Sequence, residues 1–285
     1  VEGAAMSDGL TLQHFFPQAG PWVESLAATP IALFVSGPTF GYATWEVGHI
    51  LSLILIGGTA ILMNLRLLGA GVTNEEPREI YRNLRLWQNI GVIGIVVTGL
   101  LIGSANAVKL YDSSAFTVKM MALLSGIILT YGVSRPVAAA NGAVGLMPKI
   151  WFPIGGAIFL AALWVLCTSP LINVGVYHVI TALALILIPV MRGRLRWAYI
   201  AGMAALIVAQ FVHTHFVIKP DDYAHLDPVN KVYTALYAVW LLGAALITLF
   251  RGRGEVGGPL SRLMAYVGIL VWVLGATAGR WIAYQ

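Results

Sequence analysis

Apolar residues along the chain gather into runs of about twenty, the length a helix needs to cross the hydrocarbon of a bilayer. Eight such runs are legible, at about 44–65, 86–108, 115–134, 150–168, 171–191, 197–218, 232–250 and 263–281. Backbone groups in lipid must be satisfied within their own segment, so each run predicts a helix. An earlier stretch, "WVESLAATPIALFVSGP", is too short and too broken by Pro30 and Pro38 to span. It predicts a helix lying at the membrane surface. The expected fold is therefore all-α: a polytopic membrane helical bundle of eight transmembrane helices with an N-terminal interfacial helix. An N-terminal segment at 1–43 precedes a transmembrane domain at 44–285, with possible halves at 44–168 and 171–285.

Composition strengthens this picture. Of 285 residues, 59% are hydrophobic and 10% charged, and the mean hydropathy is +0.82, far from the soluble norm of about one quarter charged residues. A net charge of +5 raises the question of nucleic acid. The basic residues, however, are spread between the apolar runs, and topology explains them without a nucleic-acid partner. Twelve of the seventeen follow the odd-numbered runs: Arg66, Arg78, Arg82, Arg85, Arg135, Lys149, Arg192, Arg194, Arg196, Arg251, Arg253 and Arg262. Because cytoplasmic loops collect Lys and Arg, both termini are expected outside, in the periplasm of a bacterial inner membrane. Arg66 then reads as an inner-face anchor. The other face carries Lys109, Lys119, Lys219, Lys231, Arg280 and the loop "KPDDYAHLDPVNK". The first twenty residues lack a basic start followed by an apolar core, so no cleavable signal is legible. Beginning at Val1 points to a trimmed or incomplete chain.

Cys167 is the single cysteine, which excludes an internal disulfide and a cysteine-built zinc or iron–sulfur site. Any metal would need histidine. His49, His178 and His213 each lie five to seven residues from the same end of their runs, roughly 7–11 Å deep at 1.5 Å per residue. Lys119 and Arg280 enter the same layer, and the inner half holds almost no ionisable side chain. "WEVGHILSLILIGGTAILMNLRL" and "NVGVYHVITALALILIPVMRGRLR" share this histidine and a later basic residue, a weak sign of duplication.

Charged groups in membrane helices are costly and usually face the bundle interior, where they mark function. Neutral imidazole suits iron, copper and zinc, and two histidines on facing helices can hold a haem. His49, His178 and His213 are the candidate ligands. Lys119 and Arg280 would bind the haem propionates, Arg280 through its bidentate fork. Glu46, one turn before His49, would exchange protons with a quinol or orient an imidazole. Each histidine alone also fits a plainer role, bonded to a neighbouring helix or reaching the headgroups, and the two cations could snorkel. His14 and His225 read as solvated. "GLLIG" at 99–103, with Gly57, Gly58 and Gly126, permits close packing of helices or of a flat ring.

No CxxCH, GxGxxG after a strand, P-loop, HExxH or serine–histidine–aspartate set is present. No helix repeats acidic residues at its centre, and Pro153 and Pro189 lie near run ends, so the features of pumps and secondary transporters are lacking.

"WEVGHILSLILIGGTAILMNLRLLG", "FTVKMMALL" and "GRWIAY" resemble an uncharacterised family of bacterial inner-membrane proteins, distantly similar to the CopD copper-resistance membrane domain. The resemblance covers 22–134 and about 262–284, implies a compact helical bundle, and marks His49, Lys119 and Arg280 as polar positions. It carries no activity. Asn64 stands where that family usually has an acid, and residues 135–260 extend a core of about four helices, adding His178 and His213. The leading expectation is a redox subunit that binds b-type haem near the periplasmic face. It would relay electrons between a periplasmic or membrane protein partner and quinone. A copper- or solute-handling protein, and a structural subunit that docks a partner, are the alternatives.

Overall fold

A computed structural model describes residues 9–37, 41–169, 172–218, 223–251 and 256–284. Val1, Pro38, Lys219 and Arg253, on which part of the sequence reading rests, lie outside the described residues. All described regular structure is helical. After a single helical turn at Leu12–Phe15, two short helices, α1 (Gly20–Ala27) and α2 (Pro30–Ser36), precede α3 (Gly41–Leu67), α4 (Pro77–Ala105), α5 (Ser114–Ala139) and α6 (Leu146–Thr168). They are followed by α7 (Ile172–Val190), α8 (Gly193–Val217), α9 (Tyr223–Arg251) and α10 (Pro259–Trp281).

Every predicted run is helical where it is described, and among the described residues seven helices are long and apolar enough to cross a membrane. The fifth, α7, runs over the 19 residues Ile172–Val190, with His178–Val190 as its fully described apolar part. Helices outrun the apolar runs where capping chemistry sits outside them. Pro77 occupies the first turn of α4, where its missing N–H costs nothing, and the Phe116 amide donates to Ser113 Oγ at the start of α5. The expected surface helix divides at Pro30, which opens α2 behind a Thr29 cap. Ala32 and Val35 of α2 are buried, while Trp22, Ile31 and Phe34 remain exposed as a lipid-boundary helix requires.

The last span is the centre of the molecule. α10 packs against α3, α5 and α7; α4 lies on α3, and α6 on α5. α8 and α9 pack against α7 and each other. In their most apolar windows, 56% of α10 but none of α8 is buried, so α8 forms the outer margin.

Two widened, π-type turns, at Ile54–Gly58 in α3 and Thr130–Ser134 in α5, shape this centre. The indole of Trp272 on α10 lies between Gly57 and Gly126, and its Nε1 donates to Thr130 Oγ1 at 3.0 Å. One turn below, Ser134 Oγ donates to Asn64 Oδ1 at 2.9 Å and Asn64 Nδ2 donates to the Ala60 carbonyl. Asn64 is fully buried against Gly268. The flat ring that the glycines admit is thus the protein's own indole.

At the widened turn of α3, α4 approaches so closely that a Cβ on Gly91 would stand 2.6 Å from the Ile56 backbone nitrogen. Gly91→Ala should therefore separate α3 from α4 and cost about 1–3 kcal/mol. A thermal unfolding midpoint in detergent equal to that of the parent would refute this close crossing.

Candidate functional site

The starts of α3 and α5 and the ends of α4 and α10 share one end of the bundle, where the Tyr111 hydroxyl also donates to the Phe16 carbonyl of the N-terminal segment. Here α3 presents His49, α4 presents Thr98 and α5 presents Lys119. Thr98 Oγ1 donates to the Gly94 carbonyl at 2.6 Å. Its oxygen is therefore left to accept from His49 Nδ1–H at 2.9 Å. That assignment makes Nε2 the unprotonated nitrogen, and Lys119 Nζ donates to it at 3.1 Å. The three side chains join three helices in one chain of hydrogen bonds.

Two glycines make room for it. A Cβ on Gly99 would lie 3.3 Å from His49 Cε1, so the imidazole lies against bare α4 backbone. Gly279 of α10 sits along the Lys119 stem, with its hypothetical Cβ 3.5 Å from Cε. A Cβ on Gly103, the other half of the GLLIG motif, would meet no other segment within 4 Å. His49 and Lys119 are both half-buried, while Glu46, one turn nearer the end of the bundle, is exposed.

The other predicted site residues fall elsewhere. Arg280 is exposed at the end of α10. His178 packs edge-on to Trp281, with ring centroids 6.0 Å apart. Positions 279 and 281 point about 200° apart around a helix, so His178 and the His49–Lys119 pair occupy different sides of α10. His213 lies at the end of α8, edge-on to Tyr233 of α9 at 6.1 Å. His14 bonds Thr11 within the N-terminal segment, and both His14 and His225 are exposed. Among the described residues, no three His, Cys, Asp or Glu side chains group closely enough to hold a metal ion.

Thr98 was not legible as a site residue, because one threonine in an apolar run carries no periodic signal. The opposite end holds a second polar network that sequence showed only as topology. Arg66 is buried, its Nε donating to the Glu75 carbonyl. Arg135 Nε donates to the Oε1 of fully buried Gln88 at 2.8 Å. At this end the anchors also bind loop carbonyls and side chains.

Composition and fold define an all-helical, multi-pass membrane protein with an interhelical histidine–lysine pair at one end and an arginine-centred polar network at the other. Within that class, residues 26–151 match DUF6644, a family of unknown function. The match runs from α1 into α6 and includes Glu46, His49, Thr98 and Lys119, but not His178, His213 or Arg280. No curated protein and no solved structure is detectably similar to the chain.

Proposed function

We propose that the protein is a redox subunit of a bacterial inner membrane, with periplasmic termini. In this reading it binds b-type haem at His49 and relays electrons between a periplasmic partner and the quinone pool. One observation supports it: Thr98 holds the His49 Nδ1–H, so that Nε2 keeps its lone pair and turns it toward Lys119 of α5. A histidine that serves as a ligand usually donates its other ring N–H to an oxygen in this way. Haem, when bound, supplies a one-electron carrier.

The remaining work belongs to the chain. Lys119 sits at Nε2, and its flexible stem along Gly279 allows the ammonium to turn from the imidazole to a propionate. Exposed Glu46 exchanges protons with the aqueous boundary or with a quinol. His178 and His213 stand apart from the pair, so His49 is the imidazole on which this reading rests. The bias of basic residues toward the opposite end supports its assignment to the cytoplasm.

A second reading is favoured by the same hydrogen bonds: with both ring nitrogens partnered, the chain can act as a clamp between α3, α4 and α5 in a structural subunit. Purification in detergent from haem-replete cells separates the two. A b-type absorption band that shifts on reduction with dithionite, with iron near one equivalent, is expected. A colourless, iron-free preparation would overturn the redox reading and leave the clamp.

A further inference from the structure

At the opposite end of the bundle, α4 and α5 build a set of side chains with donors left over and no acid to receive them. The Arg135 guanidinium lies over the Tyr131 ring, 3.7 Å from its centroid. Its Nε donates to Gln88 Oε1 at 2.8 Å, and its Nη2 donates to Asn89 Oδ1 at 2.8 Å and to the Arg85 carbonyl at 3.1 Å. The Tyr131 hydroxyl also donates to Asn89 Oδ1, at 2.9 Å. Two donors on that oxygen settle which way the amide points, so Asn89 Nδ2 faces away from the network. Gln88 Nε2 is buried without a hydrogen-bond partner, and Asn89 Nδ2 and the exposed Arg85 guanidinium have none among the described residues. The ion pair formed nearby, Arg82–Glu79, uses other side chains.

The position of this set matters as much as its chemistry. The second apolar run begins immediately after Arg85 and the third ends immediately before Arg135. Both cations therefore stand at the edge of the hydrocarbon, with Asn89 about one turn deeper. Arginine at that level recognises phosphate through charge-assisted hydrogen bonds, and basic pockets between transmembrane helices take anionic headgroups. We infer that Arg85, Asn89 and Arg135 form a binding site for the phosphate of an anionic phospholipid, held between α4 and α5. Tyr131 and Gln88 keep the guanidinium in place, and the lipid supplies the acceptors that the protein lacks there.

The test is native mass spectrometry of the full chain, released from detergent after incubation with equal amounts of phosphatidylglycerol and phosphatidylcholine. The parent should retain phosphatidylglycerol preferentially. Arg85→Gln should lower that retention roughly fivefold, the effect of one cation near an anionic surface. Asn89→Asp, which places a carboxylate among the donors and keeps Oδ1 for Arg135, should lower it further. Both positions are exposed, so unchanged unfolding midpoints in phosphatidylcholine are expected and check the fold. Equal retention of the two lipids, or retention unaltered in both variants, would overturn the site. Inorganic phosphate gives the second arm: thermal stabilisation by phosphate without lipid, lost in both variants, would assign the donors to a soluble anion and overturn the lipid as its source.

Discussion

His49→Ala is expected to abolish the b-type absorption band of the purified protein, while Thr98→Val lowers haem retention about 10–100-fold, the usual effect of losing a residue that orients a ligand. In Thr98→Val the imidazole remains but its Nδ1–H has no acceptor, so the tautomer that presents Nε2 is no longer held. Lys119→Gln leaves the ligand imidazole in place but removes the cation assigned to a propionate, and should lower haem retention without abolishing it. Absorbance and iron per polypeptide measure all three. Equal iron in parent, His49→Ala and Thr98→Val would refute His49 as the ligand. The clamp reading gives a different pattern: no pigment in any protein, and a lower unfolding midpoint for His49→Ala and Thr98→Val.

The largest effect on stability is expected from Trp272→Ala. The indole is 3% exposed, fills the space between Gly57 and Gly126, and bonds Thr130 across to α5. Its removal leaves a cavity where three spans meet and should cost about 3–5 kcal/mol. Because lipid is as apolar as the protein core, this loss is one of packing rather than of transfer from water. Trp272→Phe retains most of the ring, loses the hydrogen bond, and should cost about 1–2 kcal/mol. A thermal or denaturant unfolding series in detergent ranks the two. If Trp272→Ala were no worse than Trp272→Phe, α10 would not be the centre of the bundle.

The placement of α10 also explains why the candidate site was only partly legible. His49 and Lys119 stood out because ionisable groups are rare in apolar runs. Their depth could be counted from run ends at a fixed rise per residue. Depth alone also grouped them with His178, His213 and Arg280. Which way a side chain points around its helix depends on neighbours that hydropathy does not reveal. Around α10, Gly279 faces Lys119 while Trp281 faces His178, so one shared depth divides into separate surroundings. The glycines behaved similarly: Gly99 gives room to an imidazole and Gly57 to an indole, whereas a Cβ on Gly103 or Gly58 would meet open space.

From its sequence, this chain is committed to crossing a bilayer repeatedly as helices, because unpaired backbone in hydrocarbon is too costly for any other form. The positions of its runs and the bias of its basic residues are likewise written there. Tertiary packing decided the rest: that the last helix is central, that Thr98 joins His49 and Lys119, and that Arg135 is held by Gln88 and Asn89. The physical reason is that lipid fixes what each segment must be through its average polarity. Contacts between segments depend on the rotation of each helix and on a few small or polar residues, and an average over apolar positions does not contain them.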